Sequence, residues 1–322
     1  MRLVDLRGFG VGIWSGGCLA YHGWSRNAQI LDPVHLPDNL PMDFNGFPRL
    51  SGHQLLSLDG PDAAVFAHAQ FASDVTALPV RHWQWSAWLN AKGRTIAVFQ
   101  LIRVDQDRIL LVLADGDADA IASQLQRFVF RRKLSITVRD DHAVGGSFTA
   151  PDAAAGAAIA VNGETLELDV GSDALPRTLR IAPRAGTAAL DDAGIALAWR
   201  QSDLRFGVPR LAADQREQWT PQQLGLDRLN GYSVKKGCYP GQEIVARTHF
   251  LGKAKRALQL LRVGNGIASG AQVQQNGAAI GTVASVAGDL ALAVLPLEIA
   301  SDPLSVDGLD AAPLPLLDGL AR

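Results

Sequence analysis

The chain is poor in the residues that build disulfide frameworks, metal sites and membrane spans. Only two of its 322 residues are cysteines, Cys18 and Cys238, which excludes a disulfide framework and fits a reducing, cytoplasmic compartment. Its 7 histidines are scattered without paired spacing, so we expect no metal site. No apolar run approaches the length of a membrane span, so we expect no membrane partner.

An excess of charge of either sign is also lacking, because the formal net charge is -2. A protein that binds nucleic acid by neutralising phosphates is usually basic, so direct tight binding to nucleic acid is not expected. The sequence also has no phosphate loop, no dinucleotide-binding fingerprint and no nucleophile elbow. Any enzymatic function predicted from the residues alone therefore rests on Cys238.

Residues 1–48 lack the hydrophobic periodicity of a folded domain, and glycine and proline are frequent among them. We therefore expect a poorly ordered extension, and we hypothesise that Met42 lies near the true start of the protein. A secretion signal is the weaker interpretation, since glycines interrupt its apolar region and Asp5 lies in its basic end.

The rest of the chain is predicted to form two α+β segments with antiparallel sheets and a β-barrel. Residues 49–140 form the first segment, and residues 141–252 form the second, which ends in the motif around Cys238. Residues 253–322 contain short apolar runs between Gly and Asn turns and form the C-terminal barrel, which ends in one further strand and a tail.

Apolar periodicity predicts the elements within these segments. In the first segment they are strands at 53–58, 83–89, 96–104, 108–113 and 133–139 and helices at 62–71 and 119–130. In the second segment a helix is predicted over residues 188–195, followed by a turn that contains Asp203. Trp83 and Trp85 are predicted to share one face of their strand, and Trp88 the other.

A dense polar motif surrounds Cys238. Pro240 suits the first position of a helix, so Cys238 is predicted to lie just before a helix N-terminus, with Lys235 and Lys236 behind it. A helix N-terminus and neighbouring cations both stabilise a thiolate, so we expect an acidic thiol. The alternative is a small buried cysteine in a turn shaped by glycines, which is the usual role of a free cysteine.

Residues 236–243, Lys-Gly-Cys-Tyr-Pro-Gly-Gln-Glu, resemble the signature of the YgfZ family. These folate-binding proteins are related to GcvT, the aminomethyltransferase of the glycine cleavage system. The resemblance spans residues 50–315 and includes Asn-Ala-Lys-Gly-Arg at 90–94 and Gly-x-Lys-x-Lys-Arg at 252–256. It implies an α+β fold with ferredoxin-like antiparallel segments and a C-terminal β-barrel.

The resemblance also implies a tetrahydrofolate site in the central cavity between the three parts, with Cys238 at its rim. Trp199 matches a tryptophan that lines the folate site in the family, and His53 stands where relatives can have a second one. Asp74 falls where the aminomethyltransferase keeps its catalytic aspartate. Residues 203–207 depart from the family's Arg-x-Glu-x-Gly pattern, so an acidic group that holds the pterin is moved or lost. The other candidate ligand residues are Lys236, Gly237, Tyr239, Gln242 and, for the carboxylate tail of folate, Arg205, Arg210 and Arg247.

By resemblance, we expect a folate-binding protein that supports iron–sulfur cluster assembly or repair and thereby tRNA modification. Cys238 would act as a thiolate, with iron–sulfur assembly proteins or cluster enzymes as partners. One alternative is a tetrahydrofolate-dependent, aminomethyltransferase-like one-carbon transferase that uses Asp74. The other is a non-catalytic adaptor in which Cys238 is structural. The chain has no counterpart of the aminomethyltransferase's Arg-x-Gly-Tyr-x-Gly-Glu stretch, which favours the YgfZ branch.

Overall fold

The computed structural model describes residues 47–184, 192–252 and 254–322. Of the predicted N-terminal extension, residues 1–46 lie outside this part of the chain, whereas Phe47 and Pro48 are buried. The guanidinium of Arg180 lies 3.9 Å from the centre of the Phe47 ring, so the described chain begins in contact with the second segment.

The first segment contains five strands and two helices. They are β1 (Gln54–Asp59), α1 (Ala63–Gln70), β2 (His82–Leu89), β3 (Thr95–Arg103), β4 (Arg108–Leu113), α2 (Ala118–Gln126) and β5 (Ser135–Val138). The strands form one antiparallel sheet in the order β2-β3-β4-β1-β5. Asp117 begins α2, because its side chain accepts the backbone N–H of Ala120 as an N-cap.

Within its described residues, the second segment contains a smaller antiparallel sheet and two further α-helices. Its elements are β6 (His142–Ser147), β7 (Ala160–Asn162), β8 (Thr165–Asp169), β9 (Thr178–Pro183), α3 (Ala193–Arg205) and α4 (Gln242–Phe250). The strand order is β6-β9-β8-β7. Across the described ranges, no helix has both the length and the apolar character that crossing a membrane requires.

Helix α3 differs from the prediction. Among the described residues it begins at Ala193 and continues to Arg205, so the predicted turn at Asp203 is wrong. Trp199 and Asp203 instead lie one turn apart on the same helix. The helix has no apolar stripe, because polar residues such as Ser202 are buried together with apolar ones, and this hides the helical period in the sequence.

The C-terminal part is a closed barrel of six strands in the order β10-β13-β12-β11-β14-β15. The strands are β10 (Arg256–Arg262), β11 (Gln272–Gln275), β12 (Ala278–Ala287), β13 (Leu290–Pro296), β14 (Leu304–Val306) and β15 (Leu309–Leu314). The prediction of one final strand is wrong, since β14 and β15 form a hairpin and β15 closes the barrel against β10. Its two-residue turn, Asp307-Gly308, has positive φ at both positions, as a type I′ turn requires.

The five-stranded sheet is buried on both faces. Trp88 and Phe99 pack with α1 and α2 in one apolar core. Trp83 and Trp85 lie in a second core that is shared with the second sheet, α3 and the barrel. The predicted division of the three tryptophans between two faces is therefore confirmed, as are the α+β class and the C-terminal barrel.

A buried ion network connects the three parts. The guanidinium of Arg177, just before β9, lies 2.7 Å from Oδ1 of Asp203, and that of Arg210 lies 2.9 Å from Oδ2. Arg210 also donates to Asp115 after β4, and its backbone N–H donates to Ser285 on β12. Burial alone would raise the pKa of Asp203, but the two guanidiniums lower it, so this carboxylate is charged.

Candidate functional site

The loop that carries Cys238 runs from Ser233 to the start of α4. The helix begins at Gln242, and Gly241 precedes it with a φ of 79°, a left-handed conformation that favours glycine. The helix therefore begins two residues later than predicted, and the placement of Pro240 at its first position is wrong.

Ser233 organises this loop through both its side chain and its backbone. Its Oγ accepts the backbone N–H groups of Lys235 and Lys236, each at 3.2 Å. Its carbonyl oxygen accepts the hydroxyl of Tyr239 at 3.0 Å, and burial raises the pKa of that hydroxyl. The side chain of Gln242 donates to the carbonyl oxygen of Lys236 at 3.2 Å. The motif residues thus define the shape of the loop by bonding to one another.

The ammonium group of Lys236 is bound by backbone carbonyls at the end of α1. It donates to the carbonyl oxygens of His68 and Phe71 and, at 3.1 Å, to that of Ser73. The unpaired carbonyls of a helix C-terminus favour a cation. Burial lowers the pKa of Lys236 to about 8, and the three acceptors match the three hydrogens of its charged form. Lys236 therefore ties the loop to α1, and a role in binding a ligand stays a prediction.

Cys238 is exposed. Gly237 beside it is exposed too, and a Cβ at that position would meet no atom within 4 Å. The alternative in which Cys238 is a small buried residue is therefore wrong. Its action as a thiolate stays a prediction.

The loop also contacts the hairpin between β2 and β3. A Cβ on Gly241 would lie 2.6 Å from both the carbonyl oxygen of Asn90 and the Cα of Gly93. A Cβ on Gly93 would lie 2.9 Å from the Cβ of Ile244 on α4. Only glycine fits on either side of this contact. The two motifs at 90–94 and 236–243, both of which carry the family resemblance, are therefore neighbours in the structure.

Asp74 lies in a turn after α1. Its Oδ1 accepts the hydroxyl of Thr76 at 2.8 Å and the N–H groups of Thr76 and Ala77 at 3.1 Å each. Nδ1 of His68 lies 3.3 Å from the same oxygen. Burial alone would raise the pKa of Asp74, but these hydrogen bonds lower it below its ordinary value. Its Oδ2 accepts no hydrogen bond from the part of the chain that the structure describes.

Asp74 lines an open groove of about 500 Å³ that reaches the cysteine loop. Tyr232 and Lys235, on either side of Ser233, also line this groove, as does Arg322. Nε of Arg322 is buried without a hydrogen-bond partner. Small-molecule sites occupy roughly 300–1,000 Å³, so the groove is large enough for a ligand and offers it a carboxylate, two cations and an aromatic ring.

His53 lines a separate, narrow cleft beside the first sheet, together with Trp85 and Asp203. The cleft has a volume of about 30 Å³, which is space for water but not for a pterin ring. Nδ1 of His53 and Nε1 of Trp85 are buried without hydrogen-bond partners. Burial lowers the pKa of His53 to about 3, and the charge of Arg210 adds to this shift, so its imidazole is neutral.

Trp199 lines neither space. It is buried, and its ring centroid lies 5.6 Å from that of Phe148. Arg205 lies at the end of α3, near Asp289 of the barrel. Neither the cleft nor the groove therefore brings Trp199, Arg205 and Asp74 together.

Sequence reasoning missed the position of Asp203 and the contribution of Tyr232 and Lys235 to the groove. Residues 203–207, which depart from the family pattern, contain one acidic residue, Asp203. Its carboxylate is bound to two guanidiniums. The sequence did contain one indication of the position of Asp203. Residues four apart, such as Trp199 and Asp203, share a face if the segment is helical.

The α+β segments and the barrel define the class of fold. The crystal structure of glycine cleavage system aminomethyltransferase T from Bartonella henselae has a TM-score of 0.67 with 17% sequence identity, and the match covers 85% of this chain and 86% of that chain. The predicted GcvT-like fold is thereby confirmed. The family model of the CAF17 C-terminal beta-barrel domain matches residues 255–315, which contain all six barrel strands.

Curated relatives narrow this class. The tRNA-modifying protein YgfZ of Sodalis glossinidius is 29% identical over 255 residues, with 71% of this chain and 76% of that protein covered. The tRNA-modifying protein YgfZ of Colwellia psychrerythraea is 28% identical over 250 residues, with 73% and 75% covered. These comparisons confirm the resemblance to the YgfZ family that the cysteine motif predicts.

The substitution Gly241→Ala is expected to destabilise the protein. Its left-handed φ costs an L-residue about 1–2 kcal/mol, and the close backbone of the β2–β3 hairpin adds a steric cost. Gly237→Ala, in the same motif, is the matched control, because its Cβ would meet open space and should change the free energy of unfolding by less than about 0.5 kcal/mol. Urea denaturation measures both variants, and equal stabilities would contradict the contact.

The substitution His53→Gln is expected to weaken the pH dependence of stability. His53 has an ordinary pKa of 6.5 and a pKa of about 3 in the folded protein. As the pH falls through this window, the unfolded chain takes up a proton that the folded chain does not, so stability falls. Glutamine takes up no proton. Urea unfolding at neutral and at mildly acidic pH should therefore show a smaller loss in the variant, and an unchanged loss would rule out the neutral, buried imidazole.

Proposed function

We propose that this chain is a folate-binding protein of the YgfZ type, in which the Cys238 thiol serves the assembly or repair of iron–sulfur clusters and thereby tRNA modification. One observation carries the proposal, namely an exposed thiol on a loop whose other motif residues bond to one another and to α1. These bonds engage the polar groups of Lys236, Tyr239 and Gln242. Cys238 is therefore the reactive side chain that the motif presents.

The chemistry of a thiol supports this role. Thiolates are the preferred ligands of iron–sulfur clusters, and an exposed cysteine is open to a partner protein that carries a cluster. The names of the relatives, which are tRNA-modifying proteins, agree with a function upstream of tRNA modification.

We expect Cys238→Ser to abolish function without loss of fold. In a strain that lacks the native gene, the variant should leave the thiolation of tRNA by a cluster-dependent enzyme at the level of the empty vector. Cys18→Ser, the change of the other cysteine, is the control and should restore it. Alkylation of native protein by iodoacetamide, followed by mass spectrometry, should modify Cys238 without denaturant.

Full restoration by Cys238→Ser would contradict the proposal and favour a non-catalytic adaptor. Turnover of a methylamine donor with tetrahydrofolate that depends on Asp74 rather than Cys238 would instead support the one-carbon transferase. The open Oδ2 of Asp74 in the groove is the observation that keeps this second function in consideration.

Tetrahydrofolate fits the groove of Asp74 better than the cleft of His53. The pterin and its benzoyl group are flat and need far more than about 30 Å³, whereas the groove is of ligand size. The free Oδ2 of Asp74 can accept a pterin N–H. Lys235 and the unpartnered Nε of Arg322 can pair with the carboxylates of the glutamate tail.

A ligand in the groove would also contact the loop that carries the thiol. Ser233, Val234 and Lys235 line the groove, and Cys238 follows three residues later. When bound, tetrahydrofolate would serve as the carrier of one-carbon units. The residues of the chain orient it and order the loop, so occupancy of the groove and presentation of Cys238 are linked.

Calorimetric titration with tetrahydrofolate under anaerobic conditions tests this placement. Lys235→Ala should weaken binding by at least about tenfold, since a hydrogen bond to a charged group is worth about 1.5–3 kcal/mol, while the exposed control Lys255→Ala should not. Trp199→Phe should bind like the wild type. Loss of binding in Trp199→Phe with retention in Lys235→Ala would instead locate the ligand beside α3, as the family resemblance implies.

A further inference from the structure

The turn that follows α2 presents cations and aromatic rings to solvent. Residues 127–133, here called the α2 turn, have the sequence Arg-Phe-Val-Phe-Arg-Arg-Lys. Phe128 is 50% exposed and Phe130 is 87% exposed, and all four cations are exposed. No acidic residue occurs between Ala120 and Arg139. A net charge near zero for the whole chain therefore conceals a local basic surface.

The α2 turn has a defined shape. The N–H of Phe128 donates to the carbonyl oxygen of Leu125 at 2.9 Å, and that of Arg132 donates to Val129 at 2.9 Å. Val129 is buried in the core beneath α2. Phe130 has a φ of 46°, a conformation that costs a non-glycine residue about 1–2 kcal/mol. Its exposed ring gains little packing in return, which is typical of a residue kept for binding.

The charges of the α2 turn are free to meet a ligand. Over residues 47–184, 192–252 and 254–322, none of its four cations forms an ion pair. The guanidinium of Arg131 lies over the Phe130 ring, 5.3 Å from its centre. The carboxylate of Asp62 accepts the backbone N–H of Lys133 and offsets part of the positive charge of Lys133. The three arginines therefore carry most of the positive charge of the α2 turn.

We propose that the α2 turn binds RNA, through a single-stranded or loop segment. Guanidinium groups pair with phosphates, and exposed phenylalanine rings and guanidinium planes stack on unpaired bases. With only four cations the binding is moderate and salt-dependent, unlike the tight binding excluded by the net charge. The proposal does not rest on Cys238 or on folate. It provides a contact through which a protein related to tRNA-modifying proteins meets its RNA directly.

An anionic membrane surface fits these observations less well. A helix that lies on a membrane needs a free apolar face, but the apolar face of α2, formed by Ala118, Ile121 and Leu125, is buried in the protein core. The exposed side of α2 carries uncharged Ser123, Gln124 and Gln126 and therefore offers no broad basic face.

Fluorescence anisotropy with a short, end-labelled single-stranded RNA tests the proposal on the full chain. Each neutralised phosphate contributes about -0.7 to the slope of log K against log salt, so four cations predict a slope of about -3. The double substitution Arg131→Ala/Arg132→Ala should reduce its magnitude by about 1 to 1.5. Phe130→Ala should weaken binding about tenfold and leave the slope unchanged, because it removes stacking only.

Two exposed residues elsewhere serve as matched controls. Phe250→Ala removes another phenylalanine that is 65% exposed, and Arg200→Ala removes another exposed arginine. Neither should change the affinity or the slope. Absence of salt-dependent RNA binding, or equal binding by all variants, would overturn the proposal. So would binding of phosphatidylglycerol vesicles or of an acidic peptide that the α2-turn variants lose while RNA binding persists.

Discussion

A carboxylate buried between two guanidiniums lies at the centre of this molecule, and the arrangement of its parts depends on it. Asp203 pairs with both Arg177 and Arg210, and all three side chains are buried. Arg210 extends the network to Asp115 in the first segment and to Ser285 in the barrel. A buried charge that loses its partner costs about 3–5 kcal/mol. The three parts therefore cannot shift relative to this network without a large loss of stability.

The buried ion network also explains why the cleft of His53 and the groove of Asp74 differ in their free polar groups. Around the narrow cleft, Asp203 is committed to the ion network, and burial together with the charge of Arg210 favours a neutral His53. The groove lies outside the network, and its carboxylate and cations have bonding capacity left over. A ligand in the groove would therefore contact open polar groups next to the cysteine loop and leave the buried network undisturbed.

Local patterns predict most of the architecture, because strands, turns and the two faces of the tryptophan strand depend on neighbouring residues. Helix α3 escapes prediction, since its buried face includes the polar residues Ser202 and Asp203, and the apolar residues alone therefore form no stripe. Cys238 can be found because its motif is contiguous. The roles of Lys236 and Asp203 cannot be predicted in this way. Their partners, such as Phe71 and Arg177, are distant in the sequence, and only the tertiary fold brings them together.

The contacts of the cysteine loop have a consequence for the order of folding. Lys236 bonds to carbonyls 163–168 residues earlier in the chain, and Gly241 packs against the β2–β3 hairpin. Contacts of such sequence separation form slowly, because a long loop must be closed before they stabilise anything. The first sheet and α1 must therefore be in place before the loop takes its shape. Presentation of the thiol is thus a late event, confined to chains that have completed their fold.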